Sequence, residues 1–246
     1  MVAPTPDNST QPVNQDAPAS REELLRTAEL THAMEDYTKA IYKIQEQDLR
    51  PTTVRIAKTL DVTPASVTVM LQRLAKLGLV NYVPYRGVDL TETGMRVALE
   101  VIRHHRLLEL YLVRQLGYSW DEVDEEAEKL EHVISEEFEK RIDHVLGHPE
   151  TDPHGHPIPS AQGHISRGDA DVALAGCEEG QSVVVKQVSD EDSESLRHLG
   201  RLGIYPGARL DIIAGASEAQ GVRVRVGGET HSVDTTHATQ VLVELV

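Results

Sequence analysis

The sequence predicts a mainly α-helical chain that ends in a small β domain. Three observations carry this expectation. Apolar residues recur at spacings of three and four from about residue 21 to residue 146. From Val172 onward the signal changes to short apolar runs separated by turn residues. Between the two regimes, residues 147–164 are rich in Pro, Gly and His and read as a loop or linker. The 246 residues leave room for one large domain or two to three small ones.

Residues 1–20 hold Pro4, Pro6, Pro12 and Pro18 in polar filler, without Lys, Arg or an apolar stretch. They read as a disordered tail rather than a secretory signal. Residues 21–47 carry Leu24, Leu25, Ala28, Met34, Tyr37, Ile41 and Ile44 on one helical face, with a break expected near Thr31–His32. A short helix over Val54–Leu60 follows the cap Pro51–Thr52–Thr53. A tight turn at Asp61–Val62–Thr63 leads into a third helix from Pro64 to Leu77, closed by Gly78. Two short helices about a tight turn have the helix-turn-helix form. Leu79–Val83 and Gly87–Leu90, flanking Pro84–Tyr85–Arg86, add a two-stranded wing. Thr91–Glu92–Thr93–Gly94 opens a helix to about Leu116. Ser119 is expected to cap one long acidic helix to about Leu146, with Val123, Ala127, Leu130, Ile134, Phe138, Ile142 and Val145 as its apolar stripe. Strands are expected over Ser182–Val188, Leu210–Ala214, Val222–Val226, Thr230–Val233 and Val241–Val246, with Gly227–Gly228 as a hairpin turn and a helix over Ser193–Leu202. Together they form a small barrel-like domain. The expected domains are 21–94, a winged helix-turn-helix; 95–165, a helical domain with its linker; and 166–246, the β domain.

Charge is segmented along the chain. The net charge is −16, from 24 Lys and Arg against 40 Asp and Glu, which by itself argues against nucleic acid. Residues 50–86 reverse the balance, with Arg50, Arg55, Lys58, Arg73, Lys76 and Arg86 against Asp61 alone. Residues 121–152 carry thirteen acidic residues against Lys129, Lys140 and Arg141. A helix entering the major groove needs small polar residues at its N-terminus for base edges. Thr63, Pro64, Ala65, Ser66 and Thr68 supply that end, with Gln72 and Arg73 one turn on. Arg55, Lys58 and Arg86 are placed to hold phosphates, which fix position without reading sequence. A solvated helical hairpin would carry such charges too, but helix, turn, helix, wing and local positive charge together favour double-stranded DNA as partner.

Glu128, Glu131 and His132 stand at i, i+3 and i+4, and His105 and Glu109 at i and i+4, so each helix offers several donors on one face. Such pairs suit a divalent metal, and carboxylates with imidazole and no thiolate suit Mn²⁺ or Fe²⁺. Spacing alone fits plain surface charge on an acidic helix equally well. His148, His154, His156 and His164 in the linker are expected to be solvated, as are Arg223 and Arg225 on a strand's wet face. Cys177, the single cysteine, has no cationic neighbour to activate it and fits a reducing cytoplasm. No apolar run approaches the ~18 residues of a membrane span. Catalysis has no motif: there is no Gly-rich phosphate loop, no G-x-S-x-G and no H-E-x-x-H, so neither enzymatic activity nor a small-molecule substrate is expected.

With these residues located, residues 21–246 resemble the diphtheria toxin repressor / manganese transport regulator family of metal-dependent repressors. The likeness rests on Glu35–Asp36–Tyr37–Thr38–Lys39–Ala40–Ile41–Tyr42, on Val62–Thr63–Pro64–Ala65–Ser66–Val67–Thr68 with Lys76–Leu77–Gly78–Leu79–Val80, and on Tyr85–Arg86–Gly87. It continues in His105–Arg106–Leu107–Leu108–Glu109, Glu128–Lys129–Leu130–Glu131–His132–Val133 and the loop Asp152–Pro153–His154–Gly155–His156–Pro157–Ile158–Pro159. Leu199–Gly200–Arg201–Leu202–Gly203–Ile204–Tyr205–Pro206–Gly207 is similar to the signature of FeoA-like, SH3-like barrels.

The resemblance implies a cytoplasmic homodimeric repressor of metal homeostasis, dimerising through 95–165, with a primary metal site of Asp36, Glu128, Glu131 and His132. The family's iron-sensing branch has Met and Cys where this chain has Asp36 and Glu128, and the exchange of soft sulfur for hard oxygen favours Mn(II) as corepressor over Fe(II) or another divalent ion. The manganese branch has a second carboxylate where this chain has Lys39, which cannot ligate, so the chain departs from that branch's paired-metal arrangement. His105 and Glu109 match the iron branch's ancillary site, with Asp124 in place of a His. The C-terminal domain's contribution to that site maps near Asp192 and Ser195, and Asp192 is the expected ligand.

Overall fold

Side-chain hydroxyls start most helices of the first 146 residues. Thr31 accepts from Met34 N and opens α1 (His32–Glu46), and Thr52 accepts from Arg55 N and opens α2 (Thr53–Thr59). Thr63 accepts from Ser66 N at the head of α3 (Pro64–Lys76), where Pro64 has no N–H to leave unpaired. Thr91 does the same for Gly94 N in α4 (Glu92–Leu116). The computed structural model describes residue 21 and residues 30–47, 49–84, 86–165, 172–217 and 221–246. The tail 1–20, the leading apolar residues Leu24, Leu25 and Ala28, and Tyr85 of the wing lie outside the described residues.

The turn between α2 and α3 is tight because Asp61 takes a left-handed conformation (φ 50°), which a short polar side chain tolerates. Val67, Leu71 and Leu74 of α3 fall at i, i+4 and i+7 and are fully buried against Ile41, Ile56 and Leu79. The wing pairs β1 (Val80–Val83) with β2 (Gly87–Leu90) antiparallel, from Val80↔Leu90 to Val83↔Gly87. Helix α1 packs along α4, so one side of the DNA-binding unit leans on the helical unit.

The acidic segment differs from expectation. It is not one helix but two, α5 (Asp124–Leu130) and α6 (Glu136–Val145). Ser119 does not cap it; its hydroxyl bonds the Asp121 carboxylate, and α5 has no side-chain cap. The cap is Ser135, which accepts from Phe138 N and opens α6 with Glu136, Glu137 and Glu139 in its first turn, where the helix dipole favours negative charge. The apolar stripe therefore does not run through: Phe138 and Val145 are exposed while Val123, Ala127 and Ile142 are buried.

Beyond the linker, six strands form one antiparallel sheet in the order β3-β8-β4-β5-β6-β7. They are β3 (Val172–Ala173), β4 (Ser182–Val188), β5 (Arg209–Ser217), β6 (Gly221–Val226), β7 (Glu229–Val233) and β8 (Val241–Leu245). Register shifts between Val185 and Gln187 and between Ile212 and Ala214 bend the sheet around its own core of Val183, Val185, Leu199, Leu210, Ile212, Val222, Val224 and Val243. Gly227 and Gly228 both have positive φ and close the two-residue hairpin between β6 and β7. Arg223 and Arg225 are exposed between buried valines, as a strand's wet face requires. Helix α7 (Ser193–Arg201) is where the sequence places it; β3, a 3₁₀ turn at Leu174–Gly176 and α8 (Thr235–Thr239) were not anticipated. Cys177 is buried, and burial pushes its thiol up, away from reactivity. Among the described residues no helix is long and apolar enough to cross a membrane.

Candidate metal centre

The interruption after α5 shapes the first cluster. Glu131 ends the helix and His132 sits in the turn beyond it, so the imidazole reaches across to α1. His132 Nε2 lies 2.8 Å from Asp36 Oδ1 and 3.3 Å from Glu131 Oε1. Its Nδ1 lies 2.7 Å from Glu35 Oε2, and Glu35 is held in turn by Arg21 at 2.5 Å. Burial pulls the His132 imidazolium down, but hydrogen bonds to Asp36 and Glu35 and the Glu131 charge outweigh it and set the pKa at about 9. A proton thus stands between Asp36 and Glu131.

Glu128 does not point at His132. Its Oε1 accepts from Lys39 Nζ at 2.7 Å, and Lys39 donates to both oxygens of the fully buried Glu131, at 2.9 and 2.7 Å. Burial pushes the Glu131 carboxyl up, yet His105 and Lys39 beside it bring it down to about 2. Burial lowers Lys39 and the two carboxylates raise it further, so the ammonium keeps its charge.

A second cluster lies on the other side of Glu131. His105 Nδ1 is 2.6 Å from Glu131 Oε2, and its Nε2 is 3.2 Å from Asp124 Oδ1 and 3.5 Å from Glu109 Oε1. His154 of the linker faces the same carboxylate, with Nδ1 3.6 Å from Glu109 Oε1. His154 and His156 correct the expectation of solvated linker histidines: His154 is fully buried and His156 mostly covered at 13% exposure, whereas His148 and His164 are exposed. The loop is pressed onto β4. Val188 N donates to His154 O, and a Cβ at Gly155 would stand 1.9 Å from Lys186 O. Asp152 Oδ1 folds the loop by accepting from His154 N and His156 N.

The donors of this cluster test whether a cation fits. His154 Nε2 lies 2.6 Å from the Trp120 carbonyl oxygen, which only accepts, so Nε2 donates there and Nδ1 is turned toward Glu109. His105 donates Nδ1–H to Glu131 and turns Nε2 toward Asp124 and Glu109; burial and Lys39 pull its pKa down, but these carboxylates raise it well above the ordinary imidazole value, so in the metal-free protein a proton stands at Nε2. His105 Nε2, both Glu109 oxygens, His154 Nδ1, Asp152 Oδ2 and His156 Nδ1 are buried without a hydrogen-bond partner. Lone pairs and carboxylates converging on one another out of water repel unless a proton or cation stands between them. The residues fit a divalent metal.

Matches to known families cover most of the chain. Residues 29–88 match the iron-dependent repressor N-terminal DNA-binding domain, 91–160 the iron-dependent repressor metal-binding and dimerisation domain, and 172–245 the FeoA domain. The iron-dependent repressor IdeR of Mycobacterium tuberculosis is 35% identical over 198 residues, spanning 75% of this chain and 85% of that one. The chain belongs to the iron-dependent repressor family. The diphtheria toxin repressor of Corynebacterium glutamicum is 31% identical over 195 residues, with the same two coverages of 75% and 85%. A solved manganese-dependent transcriptional repressor in complex with manganese superposes with a TM-score of 0.80 at 36% identity, covering 87% of this chain and all of that one. The protein is thus a metal-dependent DNA-binding repressor, built from a winged helix-turn-helix, a helical domain and a small FeoA-type sheet domain.

In the repressor's DNA-binding unit, Thr63, Pro64, Ala65, Ser66, Gln72 and Arg73 are exposed, as are Arg55, Lys58 and Arg86, and Thr68 is half-buried. The Thr63 hydroxyl caps α3 and meets Ser66 Oγ at 2.9 Å, and Thr68 donates back to Pro64 O. Val69 is also exposed on α3, an apolar side chain that sequence reading passed over.

Asp192 is not where the resemblance put it. It caps α7, accepting from Glu194 N and from Ser195 N and Oγ, so its oxygens are taken up by the helix start. The carboxylate that the C-terminal domain turns toward the second cluster is Asp190, 3.9 Å from His156 Nε2. Burial raises Asp190, but the nearby His156, Lys43 and His105 hold it well below the usual carboxylate range. Sequence reading also missed Glu35, Arg21 and the structural part of Lys39; only the alternation Asp152-x-His154-x-His156 carried a local signal.

Proposed function

We propose that the repressor acts in the cytoplasm as a homodimer on a double-stranded DNA operator, with Mn(II) as its favoured corepressor. What supports the choice of metal is the proposed donor set, all oxygen or imidazole nitrogen: Asp36, Glu131 and His132 at the primary centre, with Glu128 joining them by leaving Lys39, and His105, Glu109 and Asp124 at the ancillary one. The one thiol, Cys177, is buried in the core of the sheet domain. At the primary centre, hard carboxylates with one imidazole suit Mn²⁺, and softer ligands would favour other ions. The manganese complex among the solved relatives supports the same choice. Asp190, His154, Asp152 and His156 complete the ancillary set in place of Asp192.

A bound divalent ion supplies charge that lets these carboxylates face one another without repulsion. Asp36 belongs to α1 beside the DNA-binding unit, and Glu131 and His132 to the helical unit, so a common cation favours one orientation of the two. That orientation presents the α3 helices of the two subunits to successive major grooves, ~34 Å apart. Thr63, Ala65, Ser66, Thr68 and Gln72 then meet base edges, and Arg55, Lys58, Arg73 and Arg86 the phosphates.

The test is a mobility shift with chelator-stripped protein on promoter DNA of manganese- and iron-transport genes, titrated with Mn²⁺ and, anaerobically, with Fe²⁺ at fixed salt. Binding is expected only with metal and at lower Mn²⁺ than Fe²⁺. Half-saturation at lower Fe²⁺ would reassign the corepressor, and binding indifferent to metal would reject the centre. Asp36→Ala is expected to abolish the Mn²⁺-dependent shift; a variant that binds as wild type does removes Asp36 from the site.

A further inference from the structure

A third group of donors belongs to the sheet domain alone. Leu196 and Leu199 seat α7 on the sheet core, and Ala238 seats α8 on the same core. The two helices thereby set His198 beside His237, with ring centroids 4.8 Å apart and ring planes tilted by 40°. Asp234 opens α8: its Oδ1 accepts from His237 N at 3.1 Å, and its Oδ2 accepts from His237 Nδ1. One nitrogen of each histidine and one oxygen of Asp234 all lie within 4.8 Å of one another. Capping α8 takes the carboxylate only, and does not call for a second imidazole from another helix. Ligands of one tetrahedral ion stand roughly 3.5 Å apart, so small rotations of these partly exposed side chains close the group on a cation.

We propose that His198, Asp234 and His237 form a site for a borderline divalent ion of the Zn(II) kind, bridging α7 and α8 and chemically distinct from the manganese centres. Two imidazoles with one carboxylate are a softer set than the carboxylate-rich primary centre, and three protein ligands with an open fourth position suit zinc. His198 and His237 border a surface cavity of about 570 Å³ whose walls include Asp192, Ser195 and Arg201, so water reaches the fourth position from that side. In the metal-free protein the Nδ1 proton of His237 stands against Asp234. The ion takes its place, and the proton leaves to solvent.

The test compares the full-length wild type with the double variant His198→Gln/His237→Gln and with Asp234→Asn, whose amide oxygen still caps α8. Each is dialysed against Zn(II) alone and against Mn(II) alone, and elemental analysis counts the ions per chain. Wild type is expected to hold one more Zn(II) than the double variant, and the same number of Mn(II). Asp234→Asn is expected to take up that ion with affinity lowered roughly 10–100-fold. Both variants should keep the wild-type Mn(II) count and the Mn(II)-dependent DNA shift, which also shows that they fold. Equal Zn(II) counts in wild type and the double variant overturn the proposal, as does an unaltered Zn(II) affinity in Asp234→Asn. An extra Mn(II) in wild type overturns the assignment to a softer ion class. A folded double variant without Mn(II)-dependent DNA binding overturns the independence of the site from the manganese centres.

Discussion

His132 carries its proton between two carboxylates, at the point where the proposed ligand set converges. Its pKa of about 9 means that the metal-free centre at neutral pH is an imidazolium clamped by Asp36, Glu35 and Glu131. Metal binding requires the neutral ring, so uptake must expel that proton. The sign follows directly. Apparent Mn²⁺ affinity is expected to rise about tenfold per pH unit, for one displaced proton, and to flatten above about pH 9. Calorimetric titration in buffers of different ionisation enthalpy measures the proton count; a value of zero at pH 7 would refute the clamp. The same proton stabilises the metal-free fold below the ordinary imidazole range, and that contribution is lost as pH rises through about 9. Glu35 fixes the ring by accepting from Nδ1 at 2.7 Å, so Glu35→Gln should lower the imidazole pKa and weaken metal binding by roughly 10–100-fold, while the pH dependence shifts to lower pH. Asp36 contributes less to this orientation than Glu35, because its side chain is 38% exposed and meets Nε2, the nitrogen to be vacated.

Single elements decide which of these residues meet, and here the sequence was legible only in part. The winged helix-turn-helix was readable because its caps (Thr52, Thr63, Thr91) and its stop at Gly78 are local signals. The division of α5 from α6 was hidden, because Val123, Ala127, Leu130, Ile134, Phe138 and Ile142 keep a helical period straight across it. Ser135 followed by Glu136, Glu137 and Glu139 was the signal for a new start, outweighed by that period. Spacing found Glu128, Glu131, His132, His105 and Glu109, but not that Lys39 would enter among them. That depends on the packing of α1 on α4, which no local pattern encodes. The linker was misjudged for the same reason: His154 is buried by β4, more than thirty residues downstream. Gly155 makes that burial possible, since its φ of +88° and its closeness to Lys186 O exclude a side chain. Gly155→Ala is therefore expected to cost more than about 1 kcal/mol of stability. It should also remove Mn(II) from the ancillary centre while leaving the primary centre filled. Loss of no ion, or of both, on dialysis would contradict the independence of the loop's contribution.

Across the whole molecule, the two clusters add polar links between three units; the winged helix and the helical unit also share the packing of Tyr42 against Ala98, Leu99 and Ile102, and the sheet domain has a core of its own. Asp36 and Lys39 come from α1 beside the winged helix, His105 through His132 from the helical unit, and Asp190 from the sheet domain by way of His154 and His156. Carboxylates from all three units meet at the clusters, where, without a metal, protonated histidines, Lys39, Arg21 and Arg106 balance them. Metal should therefore change how the chain melts as well as when. At free Mn²⁺ of ~100 times the dissociation constant, each site adds about 2.7 kcal/mol to the folded state. For a chain of this size that is roughly 5–10 °C per site. Differential scanning calorimetry of stripped protein is expected to show a broad, divided transition, and saturating Mn²⁺ a single sharper one at higher temperature. His154→Ala should split the sheet domain from that transition, since it severs the ancillary link and spares the primary centre. The winged-helix and helical units would still rise together with Mn²⁺. If His154→Ala melted as one unit with the full wild-type gain, the sheet domain would be tied to the rest by its apolar contacts, such as Trp120 against the sheet core, and not by the metal.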